Sequence, residues 1–291
     1  MRTFAQTNLV RDVLVLVARL GYHPVECVVG HDLGCIPAAL AGLMRPDVFR
    51  KVVLLGYPFT GSSQLPFDIS PEDEDQSPKP DMQELLAQLS PPRKHYRWYY
   101  LTAEATNEMV PREGLHDFLR GYFHLKSADA NNNPHPLENM AATELAKLPH
   151  YYVMPKELGM RETIAQDMTE EEVANMREKS PRWFPDSDLE IYVNEFARTG
   201  FQEGLNWYHV MTDPKLQTDV DGFAGKKIEV PILLISGRRD WLIYQTPGAL
   251  EKMGQACSDF RGICWVEGAG HWPQQEQPEQ VIEPIINFLQ E

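Results

Sequence analysis

The chain has 291 residues, 43% of them hydrophobic, and carries 42 acidic against 27 basic side chains for a formal net charge of −15. That length can bury a substantial core, while the charge repels polyanions, so neither nucleic acid nor an anionic membrane face is an expected partner. No stretch approaches the ~18 uninterrupted apolar residues that span a bilayer. The 4 cysteines (Cys27, Cys35, Cys257 and Cys264) contain no CxxC pair, so they predict free thiols rather than a disulfide framework or a metal site. A soluble, cytoplasmic protein without a cofactor is expected.

In chain order, Thr7 or Asn8 can cap a helix through Leu9, Val13, Leu16, Val17 and Leu20, with Gly21 ending it. Val25–Val29 then reads as a short buried strand, followed by Gly30-His31-Asp32-Leu33-Gly34. A small-residue helix, Ile36–Met44, leads to a second buried strand at Lys51–Leu55. Helix, strand, helix, strand at this spacing signals a parallel sheet with crossover helices. From residue 62 to 225 the chain changes character. It becomes rich in Pro, acids and aromatics, with helical periodicity and no buried strand. The acidic run Pro71–Asp75 reads as a solvated loop. Helices are expected at Asp81–Leu89, around His95–Met109, at Leu115–Phe123, and at Ser187–Thr199 before Gly200. The parallel pattern resumes with a strand at Val230–Ile235, a helix from Pro247 to about Cys257, a strand near Ile263–Val266 and a closing helix at Pro278–Leu289. The sequence therefore divides into a core, residues 1–61 and 226–291, and an inserted helical cap, residues 62–225.

Three strand ends carry the chemistry. Gly30-His31-Asp32-Leu33-Gly34 sits between a buried strand and an Ala-rich helix, the setting of a nucleophile elbow, with Asp32 in the central position. Small residues on either side permit the tight, strained turn that lifts one side chain above the sheet. Ser236-Gly237-Arg238-Arg239-Asp240 and Gly268-Ala269-Gly270-His271-Trp272 each follow another buried strand. The order nucleophile, acid, histidine at strand ends is where parallel sheets place their sites.

These motifs, with the stretch Thr199–Tyr208 and the run Gly270–Pro278, resemble soluble epoxide hydrolases, closest to fungal members with a long cap. The resemblance implies an α/β-hydrolase parallel sheet with an inserted helical cap domain. It implies a small, apolar epoxide-type substrate and water. The cap tyrosine of an Asn-Trp-Tyr segment is Tyr208. A second comes from the aromatic run His95–Tyr100, where Tyr96 fits best and Tyr99 next. The residue types suit that chemistry. Attack on an sp³ carbon by serine would leave a stable ether, whereas a carboxylate leaves an ester that water can cleave. Neutral phenols can hydrogen-bond or protonate the epoxide oxygen. His271, oriented by Asp240, would activate the water, and the Leu33 N–H would supply one oxyanion-hole donor. Phe59, Trp98, Trp207, Trp272 and cap methionines are expected around an apolar pocket.

One part of the pattern is not found. The family opens with several strands and a His-Gly-X-Pro loop that supplies a second oxyanion donor, so the sequence reads as N-terminally shortened and its sheet as incomplete there. Two rivals stay open. A haloalkane or haloacid dehalogenase shares the Asp nucleophile, although Leu33 stands where those families carry Trp or Arg. The other is a catalytically impaired, truncated paralogue.

Overall fold

The computed structural model describes residues 2–63, 81–109 and 111–291, so the acidic run at 71–75 lies outside the described residues. Among them the strands are β1 (Val28–His31), β2 (Val52–Leu55), β3 (Arg93–His95), β4 (Val153–Pro155), β5 (Ile232–Gly237) and β6 (Phe260–Val266). The first two and last two form one parallel sheet in the order β1-β2-β5-β6. Its register sets Val28 beside Val52 and Val52 beside Ile232.

The pleat sends alternate side chains to opposite faces, and both faces here are covered. Val52, Leu54, Ile232 and Leu234 pack with Val10, Leu40 and Leu43 of the helices Gln6–Arg19 and Cys35–Met44. Val53, Leu55, Leu233 and Ile235 pack instead with Val281 and Phe288 of the closing helix Pro278–Gln290. Burial on two sides is why these strands read as continuous apolar runs. Each fully buried aliphatic side chain contributes about 1.5–3 kcal/mol of transfer free energy.

Several boundaries differ from expectation for local reasons. Ala5, not Thr7 or Asn8, precedes the first helix. Thr7 is drawn elsewhere, giving its N–H and its hydroxyl to Asp219 Oδ2 at 2.7 and 2.6 Å. Gly21 ends that helix at φ +77°. The first ladder begins at Val28 rather than Val25, because Val25 makes only an isolated bridge to Phe49 before the pairing lapses at Glu26 and Cys27.

The region between β2 and β5 is largely helical, and Asp81 caps Met82–Ala87 by accepting from Gln83 N. The helix expected around His95–Met109 is in two pieces, Tyr96–Tyr99 and Ala103–Met109. Thr102 Oγ1 accepts from Ala105 N at the break. The helix expected at Leu115–Phe123 runs on to Lys126, and Asp186–Thr199 stops at Gly200, φ +69°. The region also holds buried strands, contrary to expectation: β3 and β4 pair antiparallel, with Val153 and Met154 buried. Strands of three residues are too short for a period of two to register. Leu86, Met154, Met160, Ile164, Phe184 and Leu189 lie in this region's own core. No described helix is long and apolar enough to cross a membrane.

Candidate active site at the strand ends

Strand β1 runs into a single 3₁₀ turn, Asp32–Gly34, and then the helix Cys35–Met44. Asp32 has φ +51°, the one positive φ outside glycine among the described residues. For a residue that carries a Cβ this is strained backbone, of the kind that persists where the surroundings enforce it. The two glycines of the motif are not equivalent. A Cβ on Gly30 would overlap the carbonyl of Gly34, whereas one on Gly34 would meet nothing. The tight turn therefore depends on Gly30.

Asp240 follows β5 and is buried, one carboxylate oxygen accepting from Leu242 N at 2.9 Å. His271 follows β6 and is 1% exposed. Its Nδ1 lies 3.3 and 3.2 Å from the two oxygens of Asp240. A carboxylate can only accept, so Nδ1 carries the proton and Nε2 is left facing forward. Nε2 stands 3.5 Å from Asp32 Oδ2, close enough for charge attraction, and has no hydrogen-bond partner among the described residues. Burial pushes the Asp32 carboxyl up, but the adjacent His271 ring, with Lys126 and His31, outweighs it and holds Asp32 well below the usual carboxylate range. Burial pulls His271 toward neutrality and Lys126 adds to that pull. Asp240 and Asp32 overcome both, so the ring titrates above its ordinary value.

A cavity of about 490 Å³ opens in front of Asp32. Leu33, Trp207, Tyr208 and Trp272, all named from sequence, line it. Tyr100 lines it as well, its ring 4.9 Å from that of Tyr208. Tyr96 stands behind, edge-on to Tyr208 at 5.6 Å, and its phenol oxygen accepts from Arg97 Nε at 3.4 Å. The Tyr96 and Tyr208 phenols are both raised, by burial first, with the charge of Asp32 contributing, so both stay protonated at neutral pH. Tyr99 is engaged elsewhere, its hydroxyl donating to Glu108. Phe59 lines a different cavity, beside Cys35 and Met211. Trp98 is 40% exposed, edge-on to His95.

Four neighbours of the site were not singled out from sequence. Tyr100 follows Tyr96 by one helical turn, a spacing the aromatic run already displayed. His31 donates from Nε2 to the His271 carbonyl at 2.7 Å. Burial, helped by His271, pulls its pKa down to about 4, so it is neutral at pH 7. Glu276 accepts from the backbone of Gly270 and Trp272 at 3.0 Å and of Ala128 at 2.7 Å, tying the His271 loop to the segment after Lys126. Lys126 is 5% exposed, and its carbonyl accepts from His271 N at 2.9 Å.

The model of the family described as "Alpha/beta hydrolase family" matches residues 2–283. The chain is similar to Epoxide hydrolase B of Mycobacterium tuberculosis, 27% identical over 283 residues that cover 97% of this chain and 76% of the relative. It is also similar to Bifunctional epoxide hydrolase 2 of Mus musculus, 24% identical over 290 residues, 99% of this chain and 43% of that protein. Among solved structures, an epoxide hydrolase from an endophytic Streptomyces superposes with a TM-score of 0.75 at 22% identity, covering 99% of this chain and 74% of that one. A likeness at that identity speaks for the fold. With a parallel sheet, an elbow and a match along nearly its whole length, this chain belongs to the alpha/beta hydrolase family.

Proposed function

We propose that this hydrolase opens small, apolar epoxides through an ester on Asp32. The observation that carries the reading is the strained, ionised Asp32 facing both an apolar, tyrosine-bearing cavity and the unoccupied Nε2 of His271. The similarity to epoxide hydrolases supports it.

In the first half-reaction an Asp32 oxygen bonds to an epoxide carbon as that carbon's bond to the ring oxygen breaks. Tyr208 gives its proton to that oxygen, with Tyr96 behind it as the second phenol. Because Tyr96 accepts from Arg97, its own proton is free to donate forward. In the second, water loses a proton to His271 Nε2 and its oxygen adds to the Asp32 carbonyl carbon. The acyl bond to the alkyl oxygen breaks, the diol departs with the proton from His271, and the remaining proton returns to the tyrosinate. Asp240 holds the imidazole in the required tautomer, and the Leu33 N–H is one donor to the developing oxyanion.

The test separates the halves. His271→Gln spares alkylation and blocks hydrolysis, so intact-mass spectrometry after mixing with an aryl epoxide should show a stoichiometric adduct of the epoxide's mass. Proteolysis should place it on the peptide containing Asp32, and Asp32→Asn should lack it. A folded His271→Gln protein that gains no mass at Asp32 from any of several epoxides would refute the mechanism. An adduct from haloalkanes alone would make the chain a dehalogenase.

A further inference from the structure

A base that takes a proton from water must hold none itself, yet His271 lies between two carboxylates, and each favours the imidazolium. Lys126 is the counterweight. It ends the helix Leu115–Lys126, and its buried Nζ stands 5.1, 5.8, 5.2 and 5.5 Å from the ring centroids of Tyr122, Tyr151, Tyr152 and Trp272. Such a cage of aromatic faces stabilises a desolvated cation. The ammonium makes no ion pair with a carboxylate among the described residues, so no neighbour cancels its charge at contact. Its backbone is locked to the same loop. Lys126 O accepts from His271 N, and a Cβ on Gly270 would lie 2.6 Å from that oxygen.

We propose that Lys126 is a positioning residue for His271, a caged cation whose charge keeps Nε2 free of a proton once Asp32 is esterified. The charges around the ring change during turnover. In the resting site His271 faces Asp32 and Asp240 as anions and Lys126 as a cation, with His31 neutral beside it. Esterification removes the Asp32 charge. Among the described residues Asp240 is then the sole carboxylate paired with the ring, and Lys126 opposes it, so proton affinity falls at the step that needs a base. Lys126 itself faces the phenols of Tyr122 and Tyr96 and the carboxylates of Asp32 and Asp240, which together keep it protonated despite burial.

The catalytic meaning of this role rests on the epoxide reading, but the titration that tests it does not. In an Asp32→Asn background, where a neutral amide stands for the esterified carboxyl, ¹³C-histidine NMR follows His271, its signal identified by its loss in His271→Gln. Adding Lys126→Met, whose thioether still fills the cage, should raise the His271 midpoint by about one pH unit or more. Lys126→Gln should do the same, which covers a failure of the Met variant to fold, and Lys126→Arg should keep the parent value. Where the Asp32 ester forms, its hydrolysis in Lys126→Met should be about tenfold slower below the shifted midpoint and unchanged above it. An unmoved midpoint in the Met or Gln variant, or the same rise in Lys126→Arg, overturns the proposal. Absence of any Asp32 adduct overturns the epoxide reading instead.

Discussion

At the scale of single residues, the proposed chemistry depends on atoms that have no substitute. Tyr208→Phe removes one hydroxyl from the cavity wall and leaves the ring contacts with Tyr96 and Tyr100 in place. Turnover of an epoxide should fall by about 10²-fold, the usual worth of one acid or oxyanion contact, with an unchanged melting temperature. Unaltered turnover in Tyr208→Phe, Tyr96→Phe and their double mutant would remove the tyrosines from the mechanism. Gly30→Ala acts on the backbone instead, since its methyl would overlap the Gly34 carbonyl. It should abolish Asp32 adduct formation, while Gly34→Ala, whose methyl meets open space, should retain it. The elbow, acid and histidine were legible in the sequence because each is spelled by neighbours in the chain directly after a buried strand. Lys126, Glu276 and the tie from His31 to His271 were not. Their meaning lies in contacts across 145, 148 and 240 positions, and nothing in their local spelling signals a partner so distant.

At the scale of elements, the short helix Tyr96–Tyr99 shows how a turn is held. His95 caps it, Nδ1 accepting from Arg97 N at 3.3 Å, and stacks on Tyr96 at 5.1 Å. An accepting nitrogen must be bare, and burial, with the nearby Arg97 charge, lowers the His95 pKa to about 3. A histidine with a depressed folded value contributes stability that is fully present above its unfolded value of about 6.5. Below that pH the unfolded chain binds a proton that the folded chain refuses, so this contribution is lost as pH falls from about 6.5 toward 3. His31, lowered to about 4, acts in the same direction over the upper part of that window. Glu276, which burial raises to about 7, acts in the opposite direction over the same window, so the test is a comparison of slopes: in urea titrations between about pH 6.5 and 4 the parent should lose more stability than His95→Asn. An equal slope in parent and variant would rule out His95 as its source. The element was only partly legible. Its aromatic run was plain, but β3 pairs with β4 some sixty positions on, and no local period reports such a partner. Thr169-Glu170-Glu171-Glu172 is the opposite case, a cap spelled by neighbours in the chain: Thr169 accepts from Glu172 N and opens the helix Glu170–Lys179.

At the scale of the molecule, covered and uncovered apolar surface stand close together. Both faces of β2 and β5 are buried, but among the described residues β1 has a strand on one side only. Val29 on that strand is 48% exposed, and Leu16, Leu20 and Tyr22 nearby in the chain are 58%, 61% and 62% exposed. An open strand edge offers unpaired backbone groups to another chain, and apolar side chains around it add a favourable transfer term. The net charge of −15 opposes association, because like-charged molecules repel at low ionic strength. The two effects respond oppositely to salt. Screening shortens the reach of the repulsion from about 30 Å at 0.01 M to about 3 Å at 1 M and leaves the apolar edge untouched. Self-association of this 291-residue chain should therefore increase with both protein concentration and salt, as a rising weight-average mass in sedimentation velocity. Val29→Lys places a charge on the edge, as natural edge strands do, and should shift the distribution back toward monomer at every salt concentration. The activity-independent readout matters, since the substitution lies three residues from Asp32. A monodisperse monomer in high salt, for parent and variant alike, would show that the β1 edge is protected by means other than charge.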